Sequence, residues 1–422
     1  MRVEARLPWT KAGTNHLDSS RDKTLEAKLV QRHLKAIQWG QIVLVEDQET
    51  TKFGDSSASV ACHLQVNNPA VYTKILSSGA VGAAEAYMDG DWTTDNLTMF
   101  IRVMLRNRDV LNQIQGELKL LKSVALKLFH LRNRDSIGGS KRNIAAHYDL
   151  GNDFFKNFLD PTMSYSSGIF NKPSDSLEDA SRNKNDALCR KLDLTPTDNL
   201  LEIGTGWGEF AVHAAQQYGC HVTTTTISEE QHAYAKARVA ELGLEDRITL
   251  LKQDYRLLTG TYDKLVSVEM IEAVGIKYLP LFFQQCSKLL KPEGQMILQA
   301  ITIADQQFEA TSKSVDFIQR YIFPGGALPS ITRLSAAACE NSDLRFLQLE
   351  DITEHYSETL RHWSKRFQEN IETIRALDFG EQFIRMWEYY FAYCEGGFTE
   401  RAIGCVHLQL HKPGFRRAKV AQ

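Results

Sequence analysis

The sequence predicts an α/β fold: a doubly wound, Rossmann-like parallel sheet with a helical cap, preceded by a small N-terminal α+β domain. Two observations predict this fold. From residue 199 onward, apolar runs alternate with segments of helix length, which is typical of a parallel sheet covered by helices. The first run leads into a glycine-rich turn, Gly204 to Gly208, and in doubly wound sheets this first turn is where nucleotide-like cofactors bind.

Composition narrows the class of protein. A chain of 422 residues with 43% hydrophobic and 24% charged residues is typical of a packed protein of two or three domains. The formal net charge of -3 argues against nucleic acid as a partner. Seven scattered cysteines without CxxC spacing predict neither a disulfide framework nor a metal site. We find no transmembrane run and no signal peptide, so we expect a cytoplasmic protein.

The chain divides into four parts in sequence order. We predict a poorly ordered N-terminus, an accessory or lipid-binding domain, a basic amphipathic helix with its linker, and a catalytic domain with a helical cap, at residues 1–24, 25–107, 108–142 and 143–422. In the second part, residues 41–47 and 59–66 have the partial alternation of strands, and residues 71–92 are helical and then punctuated by glycine. No catalytic constellation lies there, which favours a packing or binding module.

The third part contains a basic amphipathic segment at residues 116–134, where leucines recur at helical spacing among lysines and arginines. Such a helix can lie on an anionic membrane surface. It can equally be a linker helix that packs on the protein body with a solvated basic face. The sequence alone leaves both readings open.

Polar residues follow the predicted strands around the glycine turn. Asp254 and Tyr255 end the third strand, where an acidic group and a ring suit the amine and the face of an adenine. The turn has GxGxG spacing and no GKS/T follows it, which disfavours a phosphate-binding loop. We therefore predict that a nucleoside-containing cofactor binds at this edge of the sheet.

A set of long, ordered motifs carries a family resemblance. The chain contains GAVGAAEAYMDGDW, HYDLGNDFF, LEIGTGWGEFA, TTTISEEQ, QDYRLL, EMIEAVG, YIFPGGALPS and YYFAYCEGGF. From about residue 38 to residue 408 it resembles the cyclopropane-fatty-acyl-phospholipid synthases and the related mycolic acid cyclopropane synthases. The resemblance implies a class I S-adenosylmethionine-dependent methyltransferase. It also implies that the enzyme modifies the double bond of an unsaturated acyl chain in a membrane phospholipid, in transient contact with the inner face of the membrane. A homodimer is left open.

The resemblance also implies roles for individual residues. For cofactor binding these are Tyr165, Ser166, Glu202, Gly204, Gly206, Thr226, Gln231, Asp254 and Tyr255. Glu202 stands just before the glycine turn, as in class I methyltransferases, and Tyr165 with Ser166 matches the segment that closes over the methionine part. For catalysis the implied residues are Ser167, Glu272, Gln299, Ile301, Tyr356 and Cys394.

In this family a bound bicarbonate acts as the base. Glu272, Ile301 and Tyr356 match three parts of its cradle. Two positions differ from the family pattern: Ser167 stands in place of a cysteine, and Gln299 stands in place of a histidine. Both can hydrogen-bond a bicarbonate, but neither supplies an ionisable thiol or imidazole. We therefore expect a retained but reshaped base site, with either a cyclopropane or, alternatively, a methyl-branched or methylene acyl chain as the product.

The C-terminal region is rich in aromatic residues that suit a dry pocket around a developing positive charge. Candidates for the pocket wall are Trp387, Tyr389, Tyr390, Phe391, Tyr393 and Phe398, with ordinary core packing expected for most of them. Two other functions stay open at this point. One is a methyltransferase of a soluble small molecule, and the other is a non-catalytic cofactor- or lipid-binding protein that kept the fold.

Overall fold

A computed structural model describes residues 23–110 and 150–416 of the chain. The first range forms the predicted small α+β domain. Its helices are α1 (Leu25–Leu34), α2 (Ala70–Met88) and α3 (Leu97–Arg106), and its strands are β1 (Gln41–Glu46), β2 (Glu49–Gly54), β3 (Ala61–Val66) and β4 (Trp92–Thr94). The strand order is β2-β1-β3-β4, with β1 parallel to β3 and the other pairs antiparallel. The strands predicted at 41–47 and 59–66 are β1 and β3, whereas β2 and β4 were not predicted.

Helix α2 is kinked where its glycines lie. Gly79 has φ 58° and ψ −132°, which breaks the helical path inside α2. At Gly82 an added Cβ would lie 1.9 Å from the carbonyl oxygen of Lys74, so the chain passes too closely for any side chain. The glycines that interrupt the helical pattern therefore mark a bend in one long helix.

The second range contains a seven-stranded sheet. Its strands are β5 (Asn199–Ile203), β6 (His221–Thr226), β7 (Ile248–Lys252), β8 (Tyr262–Val268), β9 (Leu290–Ile303), β10 (Arg345–Asp351) and β11 (Ile403–His411), in the order β10-β11-β9-β8-β5-β6-β7. Strands β5 to β9 are parallel and were all predicted. Strands β10 and β11 add an antiparallel edge next to β9 that was not predicted.

Helices cover this sheet and build the cap. They are α4 (Asn152–Lys156), α5 (Leu177–Lys191), α6 (Glu209–His213), α7 (Glu229–Glu241), α8 (Leu279–Leu289), α9 (Asp305–Thr311), α10 (Ile331–Asn341), α11 (Thr353–Glu369), α12 (Ile371–Arg375) and α13 (Glu381–Thr399). Strand β5 lies between β8 and β6, so the strand order reverses there, and in such sheets a ligand crevice opens at the carboxyl ends of the strands. The cap lies over this crevice.

The N-terminal domain is fixed to the cap through α13. The Arg385 guanidinium donates to the backbone carbonyls of Tyr87 and Trp92 at 2.6 and 3.0 Å. Arg102 donates to Glu400 at 2.6 Å, just beyond the end of α13. The two parts also share one hydrophobic core, in which Trp92 and residues of α13 are buried. The domain is therefore placed to form part of any cavity beneath the cap.

Two predicted features lie outside the described residues: nearly all of the poorly ordered N-terminus, and the basic amphipathic segment at 116–134. Among the residues that the structure does describe, every helix is too short or too polar to cross a bilayer.

We predict that Gly82→Ala destabilises the protein, because its methyl group would collide with the Lys74 carbonyl and force α2 to shift. Overpacking of this kind typically costs ~1–3 kcal/mol, which lowers the melting temperature by roughly 2–4 °C per kcal/mol in domains of this size. The matched control is Gly380→Ala, where φ is −71° and nothing lies within 4 Å of the added carbon. Equal melting temperatures of the two variants in scanning calorimetry would contradict the bend.

Candidate active site

A cavity of about 1750 Å³ opens at the carboxyl ends of the parallel strands. The loops after β5, β6, β7 and β8 form one end of it, and the cap forms the other together with residues 76–81 and 105–109 of the N-terminal domain. Most of the predicted site residues line this cavity: Tyr165, Ser166, Glu202, Gly204, Gly206, Thr226, Gln231, Asp254, Tyr255, Glu272, Ile301, Tyr356 and Cys394. Ser167 and Gln299 do not, because both are fully buried behind its wall.

The glycine turn leaves room for a ligand. Gly204 and Gly206 have φ of 105° and 53°, which side chains rarely adopt. A Cβ built on Gly206 would meet no protein atom within 4 Å, so the missing side chain leaves open space in the cavity. Just before the turn, Glu202 is buried and accepts a 2.6 Å hydrogen bond from the Thr224 hydroxyl, and burial raises the pKa of Glu202 to about 8.

The ends of β6 and β7 present polar groups beside this turn. The Thr226 hydroxyl donates to the Gln231 side-chain oxygen at 3.0 Å, so the two residues predicted to lie near the ribose support each other. Asp254 accepts two hydrogen bonds from Arg256, at 2.8 and 2.6 Å. The sequence analysis missed Arg256, which lines the same part of the cavity and shares Asp254 with any adenine amine bound there.

The centre of the cavity holds a carboxylate that the sequence analysis also missed. Glu269 follows directly after β8 with a left-handed φ of 47°, which is uncommon for a side-chain-bearing residue. Its Oε1 accepts from the Ser167 backbone amide at 2.9 Å and from the Gln299 side-chain amide at 2.8 Å. Its Oε2 accepts from the Tyr356 hydroxyl at 2.6 Å. Burial raises the pKa of Glu269, and these three hydrogen bonds oppose the rise.

These contacts bear on the predicted bicarbonate cradle. Of the groups that the resemblance assigns to a bicarbonate, the Gln299 amide and the Tyr356 hydroxyl are engaged with Glu269, while the Ile301 backbone amide is engaged with Glu272. The Ser167 hydroxyl donates to the backbone carbonyl of Gly168 at 3.1 Å and so does not donate into the cavity. A bicarbonate does not fit among these donors while Glu269 occupies them.

Behind Gln299 a further pair fixes its orientation. The Oε1 atom of Gln299 can only accept, so the His407 Nε2 lying 2.9 Å from it donates. The remaining ring nitrogen of His407 then accepts from Lys191. This chain of contacts leaves the Gln299 NH₂ group facing Glu269, where it donates. His407 and Lys191 lie on β11 and α5, far from the quoted motifs, and carried no signal in the sequence.

Glu272 lies on the turn after Glu269 and is held differently. Its Oε1 accepts directly from the Ile301 backbone amide at 2.5 Å, whereas the resemblance gives both groups to a bound bicarbonate, and its Oε2 is buried without a partner among the described residues. Burial, with a further contribution from the charge of Glu269, raises the pKa of Glu272 to about 8. The environment of Glu272 therefore favours its protonated form at neutral pH, whereas the three hydrogen bonds to Glu269 favour the ionised form of that carboxyl group.

A buried lysine faces these carboxylates. The Lys184 ammonium donates to the Ser164 hydroxyl at 3.3 Å and lies in the cavity wall. Burial lowers the pKa of Lys184, while the charges of Glu269, Glu209, Glu202 and Asp160 oppose the shift. Lys184 is therefore electrostatically coupled to these carboxyl groups, and sequence reasoning gave it no role.

Aromatic rings close the cavity around Glu269. Tyr356 stacks on Phe398 with ring centroids 4.2 Å apart, and the Tyr165 hydroxyl donates to that of Tyr390 at 3.1 Å. Of the six predicted aromatics, Tyr390, Tyr393 and Phe398 line the cavity, while Trp387, Tyr389 and Phe391 are packed in the core. Cys394 lies in the wall with its thiol pKa raised by burial, so it stays a neutral thiol at neutral pH.

Comparison with known proteins is consistent with this geometry. The family model described as mycolic acid cyclopropane synthetase matches residues 137–408. The tuberculostearic acid methyltransferase of Mycobacterium tuberculosis is 38% identical over 352 residues, covering 82% of this chain and 82% of its own. The cyclopropane-fatty-acyl-phospholipid synthase of Escherichia coli is 37% identical over 354 residues, covering 82% and 87%. A crystal structure of a mycolic acid cyclopropane synthase complexed with SAH and CTAB has 30% identity and a TM-score of 0.61, covering 64% of this chain and 98% of that one.

We predict that Gly206→Leu weakens binding of S-adenosylmethionine at least roughly tenfold, about 1.4 kcal/mol, because the new side chain fills the space left in the cavity. Gly243→Leu is a matched control: Gly243 has φ of 62°, also has nothing within 4 Å, and lies outside the cavity. Calorimetric titration of both variants checks the site. Equal affinities would place the cofactor elsewhere.

Proposed function

Because the chain belongs to the mycolic acid cyclopropane synthetase family of S-adenosylmethionine-dependent methyltransferases, we propose that it methylates the double bond of an unsaturated acyl chain in a membrane phospholipid, with Glu269 as the base. The observation that carries this proposal is the ionisable carboxylate of Glu269, held by three hydrogen bonds in an aromatic-lined cavity.

The residues around the glycine turn fit the cofactor. The open space at Gly206, the polar ends of β6 and β7, and the Tyr165–Ser166 segment would hold its nucleoside and methionine parts. Bound there, S-adenosylmethionine supplies an electrophilic methyl group on a sulfonium. An alkene is a weak nucleophile, so this chain has to align the acyl chain closely and keep water out. The stacked and hydrogen-bonded rings of the cavity support both tasks.

The protein's residues then handle charge and a proton. When the alkene π electrons form the new carbon–carbon bond in place of the methyl–sulfur bond, the electron pair of that bond stays on sulfur and the neighbouring acyl carbon becomes positive. The faces of Tyr356 and Phe398 and the carboxylate of Glu269 stabilise that charge in a site of low dielectric. Glu269 then accepts a proton from the acyl chain, and the electrons of the broken C–H bond close the product. Glu272, carrying its proton, leaves Glu269 as the ionised member of the pair.

Which carbon loses the proton decides the product. Loss from the new methyl group gives a cyclopropane, whereas loss from a neighbouring carbon gives a methyl-branched alkene or a methylene group. A carboxylate attached to the chain at Glu269 samples fewer positions than a small bound anion would. The relative named as a tuberculostearic acid methyltransferase is also named for methylation and not for cyclopropane formation. Both points favour the methyl-branched or methylene product, with the cyclopropane as the second candidate.

A peripheral contact with the membrane belongs to the same proposal, because the acyl chain of a phospholipid has to enter from a lipid surface. The basic segment at 116–134 is suited to such a contact. Its position in the chain, directly after residues 105–109 of the cavity wall, supports this role.

We predict that Glu269→Gln lowers turnover by roughly 10²-fold or more, because it keeps the shape and removes the base, while S-adenosylmethionine binding survives. Glu269→Gly should fold well, since φ of 47° suits glycine, and should open a space lined by the three donors. Bicarbonate should then restore part of the activity of Glu269→Gly, while the wild-type rate is the same with and without bicarbonate.

The control for backbone freedom is Asp378→Gly, which makes the same change at φ 62° on an exposed turn outside the cavity. Rates are measured by transfer of radiolabelled methyl groups to lipid in buffer freed of carbon dioxide. A wild-type enzyme that needs bicarbonate, or a fully active Glu269→Gln, would overturn Glu269 as the base.

We predict that the wild-type product from a host without its own synthase is one CH₂ heavier than the parent acyl chain and is cleaved by ozonolysis, because it keeps an alkene. Glu269→Gly combined with Ser167→Cys and Gln299→His should shift the product toward an ozone-resistant ring. The double change without Glu269→Gly is the control, since it leaves the carboxylate in place. A wild-type product that resists ozonolysis would make the cyclopropane reading correct.

A further inference from the structure

A second, smaller cavity of about 200 Å³ adjoins the large one where the N-terminal domain meets the cap. The two cavities share four wall residues: Leu105, Arg108, Gln307 and Ala402. Three arginines line the smaller cavity, Arg106, Arg108 and Arg401, together with the single carboxylate of Glu400. The large cavity thus leads from Glu269 to a cationic recess.

Some of the charged side chains in this recess form ion pairs, and Arg108 does not form one with a described residue. Glu400 is bound by both Arg102 and Arg106, and Arg401 is bound by Asp351. Arg108 has no hydrogen bond or ion pair within residues 23–110 and 150–416. Its guanidinium is partly buried at the junction of the two cavities.

Two carboxylates that share the wall of the large cavity with Arg108 form no ion pair with it. Asp109 and Asp316 both line the large cavity, and neither comes within ion-pair distance of Arg108 in the described part of the chain. Asp316 instead accepts from the backbone amide of Gln319 at 2.9 Å. A guanidinium that forms no ion pair with the described protein can bind a phosphate, through two parallel hydrogen bonds.

We infer that Arg108 binds the anionic phosphodiester of the phospholipid substrate while one acyl chain extends from the recess into the large cavity toward Glu269. Arg106 and Arg401 flank the phosphate, and Gln307 lies at the junction. This inference rests on the proposed function. It gives the N-terminal domain a specific task, because Arg108 belongs to that part of the chain and lies outside the family match at 137–408.

The test compares two substrates in the same detergent micelles: dioleoylphosphatidylglycerol, which has the phosphodiester, and methyl oleate, which has the same acyl chain without it. In Arg108→Gln the ratio of kcat/KM on the phospholipid to kcat/KM on the ester should fall at least tenfold, with partial recovery in Arg108→Lys. Arg345→Gln removes the same charge from an exposed arginine on β10, outside both cavities, and should leave the ratio unchanged.

Several outcomes overturn the inference. One is an unchanged ratio in Arg108→Gln. If the ratio is unchanged while inorganic phosphate inhibits ester turnover in the wild type but not in Arg108→Gln, the recess is a site for a free anion and not for the phospholipid. If the wild type modifies neither lipid, the proposed function fails. The inference is then tested separately by calorimetric binding of phosphatidylglycerol micelles without cofactor. A tenfold weaker affinity in Arg108→Gln than in the wild type would support it, and an unchanged affinity would overturn it.

Discussion

A carboxylate buried away from water has to be surrounded by donors, because the cost of desolvating it is otherwise several kcal/mol. At Glu269 the three nitrogen and oxygen donors come from separate parts of the chain: the Ser167 amide before α5, the Gln299 amide on β9 and the Tyr356 hydroxyl on α11. The Cys405 thiol on β11 adds a longer contact of 3.9 Å to Oε1. Sheet, cap and connecting loop therefore have to meet at this point. The backbone of Glu269 is left-handed, which is strained for a residue with a side chain, and the surrounding contacts hold it in that conformation.

The same carboxylate organises the charges around it. Glu272, three residues later, has only one oxygen satisfied and carries a pKa raised to about 8, with the charge of Glu269 among the causes. Two neighbouring carboxyl groups in one cavity of low dielectric cannot both be ionised cheaply, and the proposed function assigns the role of base to Glu269, which accepts the three hydrogen bonds. Burial lowers the pKa of Lys184 in the same wall, while the charges of Glu269, Glu209, Glu202 and Asp160 oppose that shift, so Lys184 and these carboxyl groups depend on one another for their charge.

The sequence could predict the parts of this site that depend on local residue patterns, and it could not predict the parts that depend on contacts between distant elements. Alternating apolar runs and a glycine turn are local, so β5 to β9 and the open space at Gly206 were predicted. Strands β10 and β11 pair antiparallel across a long separation, and although residues 406–411 of β11 alternate apolar and polar side chains, that local pattern does not show which strand β11 pairs with. Glu269 lies in the same motif as Glu272, but its role depends on a positive φ and on donors from three other elements. Ser167 and Gln299 were correctly singled out, yet only the structure shows that they bind Glu269.

The N-terminal domain explains why the cavity is larger than a cofactor site needs to be. The catalytic part alone, matched by the family model at 137–408, contains the glycine turn and both glutamates. The bend of α2 at Gly79 and the residues after α3 add a wall that this part lacks. Because α13 ties this wall to the cap through Arg385 and through the Arg102–Glu400 ion pair, the wall and Glu269 are parts of one packed body. Under the proposed function, an acyl chain that entered past the N-terminal domain would be aligned with Glu269 by the fold itself, and the domain would act on the reaction without touching the reacting atoms.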